Sequence, residues 1–442
     1  MHRPLPTPLA VAILASLLQL PAQAALYAVD SGAPNLANGN FPAWYQDSHG
    51  RTLDLCLSKA VSSRVAGAPG APSYMCTLLP TPGVFDDTKP IAFPKNFPDE
   101  AFWFTADAAI VDAARGIDLS YGTAIEAAFA AEEPKQGDQQ SFARVRIRVD
   151  VPTAGTYVIT HPYGVEVFEV AAAGRRAINM TRDIGIAGAG DFSGALKGDV
   201  GPFLRSVNGP YTEGSERFIG DPNLDERATG SPFNTNYVRI EGPNGIDLRT
   251  ELFAISGKLS TVARPTPLIP QRSTYSRHAE NGDLRAQQDM FVLAPPPPAS
   301  ATLTSQTPSL ALNEANGTGT WYAQSTLNPA PGSNLLISAD NSVAIPTSTV
   351  TTASLALTDL VTISRAEYSL SKGELTLVAS SSDETSPPAL TASTGNGTAI
   401  GPLEGDGAVR TLIAKLSPLP PAKVQVTSAA GGSDSEDVVL VP

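Results

Sequence analysis

Apolar residues recur at one fixed interval through the C-terminal part of this chain. Leu327 and Leu416, Leu335 and Val424, and Ile337 and Val426 each stand 89 residues apart. Upstream the match continues more loosely. Tyr275-Ser-Arg and Asn281-Gly-Asp-Leu284 answer to Ser364-Arg and Lys372-Gly-Glu-Leu375, and Ala301-Thr-Leu-Thr-Ser305 to Ala389-Leu-Thr-Ala-Ser393. A period of this size marks two copies of one structural unit, so whatever fold one copy takes the other must take too. The spacing predicts repeat 1 over 273–352 and repeat 2 over 355–442. Within each copy, apolar and polar residues alternate in short runs. Glu374 to Ser380 puts Leu375, Leu377 and Ala379 on one strand face, and Lys423 to Thr427 does the same with Val424 and Val426. Such runs, cut by Gly/Pro/Asn/Ser turns about every 8–12 residues, are the pattern of an antiparallel sandwich.

The SRAEYSLSKGELTLVASSSDE hairpin and the PLPPAKVQVTS strand resemble the tandem immunoglobulin-like modules found C-terminally in many exported bacterial proteins. The resemblance covers about 170 residues and lacks the Cys…Trp…Cys core of antibody domains. It implies spacer or adhesive units with no chemistry of their own.

Residues 25–262 show no repeat and form a separate β-rich domain. Its middle reads as a meander: a strand over Ser141 to Val151, a Pro-Thr-Ala-Gly155 turn, a strand over Thr156 to Thr160, a His161-Pro-Tyr-Gly164 turn and a strand over Val165 to Val170. The phrase RVDVPTAGTYVIT resembles a strand-turn-strand phrase of exported β-sandwiches, jelly-roll carbohydrate-binding modules among them. One short helix is predicted from Ala124 to Glu133, where Thr123 and Glu126 form a capping box and Pro134 and Gly137 end the run. Three prolines in Arg264 to Pro270 predict an extended, semi-rigid linker over 263–272. Pro295 to Pro298 reads as an edge loop inside repeat 1. The fold class is therefore all-β: a sandwich or jelly-roll-like N-terminal domain with one short helix, then two immunoglobulin-like sandwiches.

The N-terminus has the form of an export signal. His2 and Arg3 precede the apolar stretch Leu9 to Leu20, and Ala22-Gln23-Ala24 has the small-x-small form of a cleavage site. About 12 apolar residues reach about 18 Å as a helix, short of the roughly 30 Å hydrocarbon core, so 1–24 reads as a cleaved signal peptide rather than an anchor. The expected location is secreted or periplasmic, with no membrane insertion after cleavage. An oxidising compartment makes a disulfide the default for the only two cysteines, Cys56 and Cys76.

Charge and motifs then narrow the function. With 43 acidic against 30 basic residues and a net charge of -13, the chain is no phosphate-backbone binder, and nucleic acid is excluded as a partner. HExxH, GxSxG, GxGxxG and P-loop patterns are absent. Ser369-Leu-Ser-Lys372 fits S-x-x-K by letter, in a hairpin turn without the partner motifs. Arg144, Arg146 and Arg148 alternate with Ala143, Val145, Ile147 and Val149, so a strand aims all three guanidinium groups to one side, where they can meet a carboxylated or sulfated glycan or a carboxylate of this chain such as Glu166. Trp44 and Trp103 lie in aromatic clusters and are candidate sugar platforms or core rings. Asp221, Asn223 and Asp225 match the first half of a calcium loop, though an EF-hand wants Gly where Glu226 stands and Glu where Pro232 stands; a solvated turn is the other reading. Calcium is the only cofactor these residues raise.

The leading expectation is a non-enzymatic binding protein for a glycan or other cell-surface polymer, carried on spacer modules. An extracellular polysaccharide hydrolase or lyase is the rival, its site drawn from His161, Tyr163, Asp221 and the arginine row. A purely structural surface protein is the third reading.

Overall fold

A computed structural model describes residues 25–330, 332–416 and 419–442. The signal peptide predicted over 1–24 lies outside the described residues. The fold is all-β, with only three short 3-10 turns among the described residues.

Residues 26–259 supply three sheets of six, seven and four strands, and their inward faces close on one core. Its centre is a run of long strands: Glu100–Asp112 pairs with Ile117–Phe129, which pairs with Gln139–Val151, which pairs in turn with Gly174–Ile184, all antiparallel. Period-two patterning decides their orientation. Ala143, Val145, Ile147 and Val149 point inward and are buried, while Arg144, Arg146 and Arg148 point outward. The three strands read from the sequence form, but not as one meander: Gly155–His161 pairs with Gly164–Val170 and Val238–Gly242 in the four-stranded sheet, while Gln139–Val151 pairs with Ile117–Phe129 and Gly174–Ile184 in the seven-stranded one.

The predicted helix is replaced by strand. Ala124 to Phe129 belong to Ile117–Phe129, bonded to a long strand on each side. Glu126, read as half of a capping box, instead accepts both Nη1 bonds of Arg144 from the neighbouring strand. A two-sided ladder of this length outweighs the weak local propensity of an Ala-rich run.

The two repeats are superposable in topology. In the first, Ile269–Glu280 and Asp283–Leu293 form a hairpin that Thr320–Ser325 extends, opposed by Ser300–Leu303, Asn334–Asp340 and Thr351–Ala356. In the second, Val361–Ser369 and Glu374–Ser381 are extended by Val409–Lys415 and opposed by Leu390–Thr394, Lys423–Ser428 and Ser433–Asp437. Leu335 and Ile337 are buried in the first core, and Val424 and Val426 in the second. Each first strand also takes a short parallel partner, Thr358–Asp359 in one copy and Val439–Val441 in the other. The first hairpin turns through Asn281 and Gly282 at φ 54° and 88°, the left-handed pair that a tight two-residue turn requires.

The Pro-rich stretch 263–272 is not a free linker. Arg264–Pro265 pairs with Ser348–Thr349, Thr266 and Leu268 are buried, and Ile269 already begins the first strand of the repeat. Across this seam the Gln46 amide donates to the Pro265 carbonyl at 3.1 Å, and the Asn341 amide to the His49 carbonyl at 3.1 Å. The two repeats are joined by a buried ion pair between Arg277 and Asp383. The Arg277 amide also donates to the Ser382 carbonyl at 3.0 Å.

Candidate functional site

The outward face of Gln139–Val151 carries the arginine row. Arg144 is spent on the fold: its Nε and Nη2 meet Asp183 at 2.7 and 2.9 Å, and its Nη1 meets Glu126 at 2.9 and 3.0 Å. Asp183 is its cross-strand neighbour, which explains the bidentate fit. Glu166, the partner named from sequence, pairs with Arg182 instead. A guanidinium held by two carboxylates has few donors left, so Arg144 leaves the set of ligand candidates.

Arg146 and Arg148 differ. Among the described residues neither has a carboxylate within ion-pair distance, and the buried Nε of each lacks a hydrogen-bond partner. Gly122 and Ser120 stand opposite them on one side, Thr181 and Asn179 on the other. Short side chains there leave both arginines half-buried at the stem with an open approach above. Burial and the neighbouring cations Arg146, Arg176 and Arg144 hold the Arg148 pKa below its ordinary value. Asp107, cross-strand from Gly122, is a carboxylate that feels Arg146: burial raises its pKa to about 6 and the charge of Arg146 pulls against this.

The aromatic candidates are not free platforms. Trp103 is 0% exposed, donates its indole N–H to the Pro42 carbonyl at 3.2 Å and packs edge-on against Tyr45 at 4.7 Å. Phe102 and Phe104 are buried with it, because a bulge between them breaks the alternation that would turn Trp103 to the opposite side. Trp44 is half-buried, and the Arg264 guanidinium lies 3.9 Å over its ring.

Asp221 is buried, and Oδ2 of its carboxylate is held by Ser62 and by Arg64 at 3.1 Å. The Asn223 amide donates to Tyr74 and to Asp221, and Asp225 is exposed. A guanidinium therefore supplies the positive charge at the carboxylate where a calcium ion would sit. Among the described residues no group of three His, Cys, Asp or Glu could hold a metal.

The rival catalytic set is not assembled either. His161 is 0% exposed, its Nδ1 lies 3.3 Å from the Tyr121 hydroxyl and accepts the Tyr163 N–H, and its Nε2 faces Glu166 at 3.9 Å. The Tyr163 hydroxyl donates to the Pro202 carbonyl at 2.9 Å. His161 and Tyr163 are hydrogen-bonded to one another in the core, whereas Asp221 is held by Ser62 and Arg64. Cys56 and Cys76 form the disulfide, packed with Met75 and Phe218.

The fold and these sites define a multidomain, disulfide-bonded all-β protein. No family model matches the chain, and no curated protein does. Among solved structures it is similar to the mouse nectin-like molecule 4 ectodomain, with 12% identity, 65% of this chain and 90% of that one covered, and a TM-score of 0.15. A bacterial ice-binding adhesin gives 10% identity, 68% and 91% coverage and a TM-score of 0.15. A biofilm-associated protein BSP domain gives 12%, 78% and 67%, and 0.16. Likenesses at this level establish no relationship and no activity. Among the described residues no helix is long and apolar enough to cross a membrane.

Proposed function

We propose that this is an exported, non-enzymatic binding protein, secreted or periplasmic. Its N-terminal domain takes an acidic glycan or other anionic cell-surface polymer on the outer sheet face. Two immunoglobulin-like modules carry that face and serve as spacers. The observation that supports this is the pair Arg146 and Arg148: two guanidinium groups on an outward sheet face that, among the described residues, have no carboxylate within ion-pair distance, in a chain of net charge -13. An acidic chain has counter-charge to spare, so cations left unpaired on an open face are available for an external anion. The disulfide supports an oxidising compartment and hence export.

The test is binding to an immobilised polyuronate by wild type and by the double variant Arg146→Gln/Arg148→Gln. Affinity should fall about tenfold or more and its salt dependence should flatten, with the melting temperature unchanged. A double variant that binds as wild type does would remove this face as the site.

A further inference from the structure

The seam between the N-terminal domain and the first repeat encloses a cavity of about 440 Å³. Arg51, Arg205 and Arg217 enter it from the N-terminal domain, and Arg264 from the short strand that crosses the seam. No Asp or Glu lines it, although acidic residues outnumber basic ones in the chain by 43 to 30. Among the described residues, no carboxylate stands within ion-pair distance of any of the four guanidinium groups, and the buried Nε of Arg264 has no hydrogen-bond partner. Asp47 lies behind Arg51, but its carboxylate is taken up by the backbone N–H groups of Arg51 at 2.8 Å and Phe203 at 2.9 Å. Burial, reinforced by the charge of Arg51, pushes the Arg205 pKa down to about 10 against the pull of Asp47. Asp47 acts on Arg51 and Arg205, and Asp54 on Arg264, from outside the lining, so two carboxylates stand against four guanidinium groups and the hollow keeps an excess of positive charge that an entering anion would relieve.

The rest of the lining indicates what enters. Ile219, Leu259, Val262 and Ile345 give apolar wall, and Ser260, Thr261 and Thr347 give hydroxyl groups. A free inorganic anion fills a small part of this volume and has no use for the apolar wall. Cavities of about 300–1,000 Å³ suit small organic ligands, and arginine forks suit planar or tetrahedral oxyanions. We infer that this cavity binds an acidic sugar unit, with its carboxylate or sulfate held by Arg51, Arg205, Arg217 and Arg264 and its ring against the apolar wall. The site is separate from the open face of Arg146 and Arg148 and stands without it. Because Ala344 to Ser348 come from the first repeat, a bound sugar touches both sides of the seam and stiffens it.

The experiment is calorimetric titration of the full chain with digalacturonate, a sulfated chondroitin disaccharide, neutral maltose and sodium sulfate. One of the two acidic sugars should bind saturably and raise the melting temperature, and which one does so separates carboxylate from sulfate recognition. Arg217 is exposed, so Arg217→Gln is a mild change; it should weaken that binding about tenfold, and Arg205→Gln/Arg217→Gln further. Ala344→Trp, at an exposed lining position, should block the cavity without touching an arginine. Arg146→Gln/Arg148→Gln should leave the titration unchanged, which keeps the two sites distinguishable. Equal affinity for maltose, equal affinity for sodium sulfate, or no saturable heat with either acidic sugar up to about 10 mM would overturn the assignment.

Discussion

Asp383 fastens the second repeat to the first, and removing its carboxylate should separate them. The side chain is 1% exposed. Its Oδ2 accepts from the Arg277 guanidinium, Nε at 3.0 Å, and from the Tyr275 hydroxyl at 3.1 Å. Its Oδ1 accepts from the Thr385 hydroxyl at 3.1 Å and the Ser386 amide at 3.0 Å. Burial would raise the Asp383 pKa; the Arg277 hydrogen bonds reverse this and hold it below the ordinary carboxylate value, so the pair is charged at neutral pH. Asp383→Ala leaves a guanidinium 10% exposed with no counter-charge, a loss of about 3–5 kcal/mol. If the seam and both modules unfold together, as one unit of about 170 residues, that corresponds to a melting shift of about 6–20 °C. If the modules survive apart, the same loss appears as a hinge. Calorimetry reads the first outcome, and small-angle scattering reads the second as a wider distribution of chain dimensions. Replacing both partners, Arg277→Met with Asp383→Leu, should recover most of the loss, because the penalty lies in the orphaned charge rather than in the pair's net contribution. Asp383→Ala within about 1 kcal/mol of wild type and with an unchanged scattering profile would refute the reasoning.

Trp103→Ala should cost about 3–5 kcal/mol in urea unfolding, the toll for emptying a fully enclosed ring site; a near-neutral result would return this ring to the surface. Reducing Cys56–Cys76, or replacing both with Ser, should cost about 3 kcal/mol by freeing a loop of 20-residue separation in the unfolded chain, read as a lower denaturation midpoint. His49 gives a pH dependence: burial first, then Arg51, lower its pKa to about 4 from 6.5. Between those values the unfolded chain takes up a proton that the folded chain refuses, so stability falls by up to about 3 kcal/mol as pH drops through this window and no further below it. The difference in unfolding midpoint between wild type and His49→Gln, followed from pH 7 to pH 4, should change by that amount; parallel curves would show that His49 is not sealed in the folded chain.

What the sequence made legible follows from how local each signal was. The repeat was readable because Leu335, Ile337, Val424 and Val426 sit at matched positions in two separate cores, and a core constrains its residues wherever the copy lies. The outward aim of the arginine row was readable because strand periodicity needs no knowledge of neighbours. Its partners were not, since Asp183 and Glu126 reach Arg144 from strands on either side and no local pattern ties them to it. The same limit produced the false helix, where a capping box and an Ala-rich run described the segment alone and the ladders on both sides decided it. Trp103 stayed open between platform and core because an aromatic cluster serves either; the strands packed around it, and the bulge between Phe102 and Phe104, settle it as core.

The arginine cavity marks where such reading stops. Arg51, Arg205, Arg217 and Arg264 sit in four separate segments, with no motif or spacing in common. Each alone is an ordinary surface cation in an acidic chain. Only the folded seam brings them together and keeps every carboxylate out of the lining, so the feature belongs to tertiary structure and to no segment. The trace it leaves in the sequence is indirect. Arg264 falls in the stretch whose prolines read as a linker, and that stretch is instead pinned by Ser348–Thr349 with Thr266 buried beneath it. A linker that needed only to be extended would have no reason to bury Thr266 and stack Arg264 over Trp44. Fixing that strand sets the position of the fourth guanidinium relative to the other three, and the rigidity of the seam and the geometry of the cavity are one requirement.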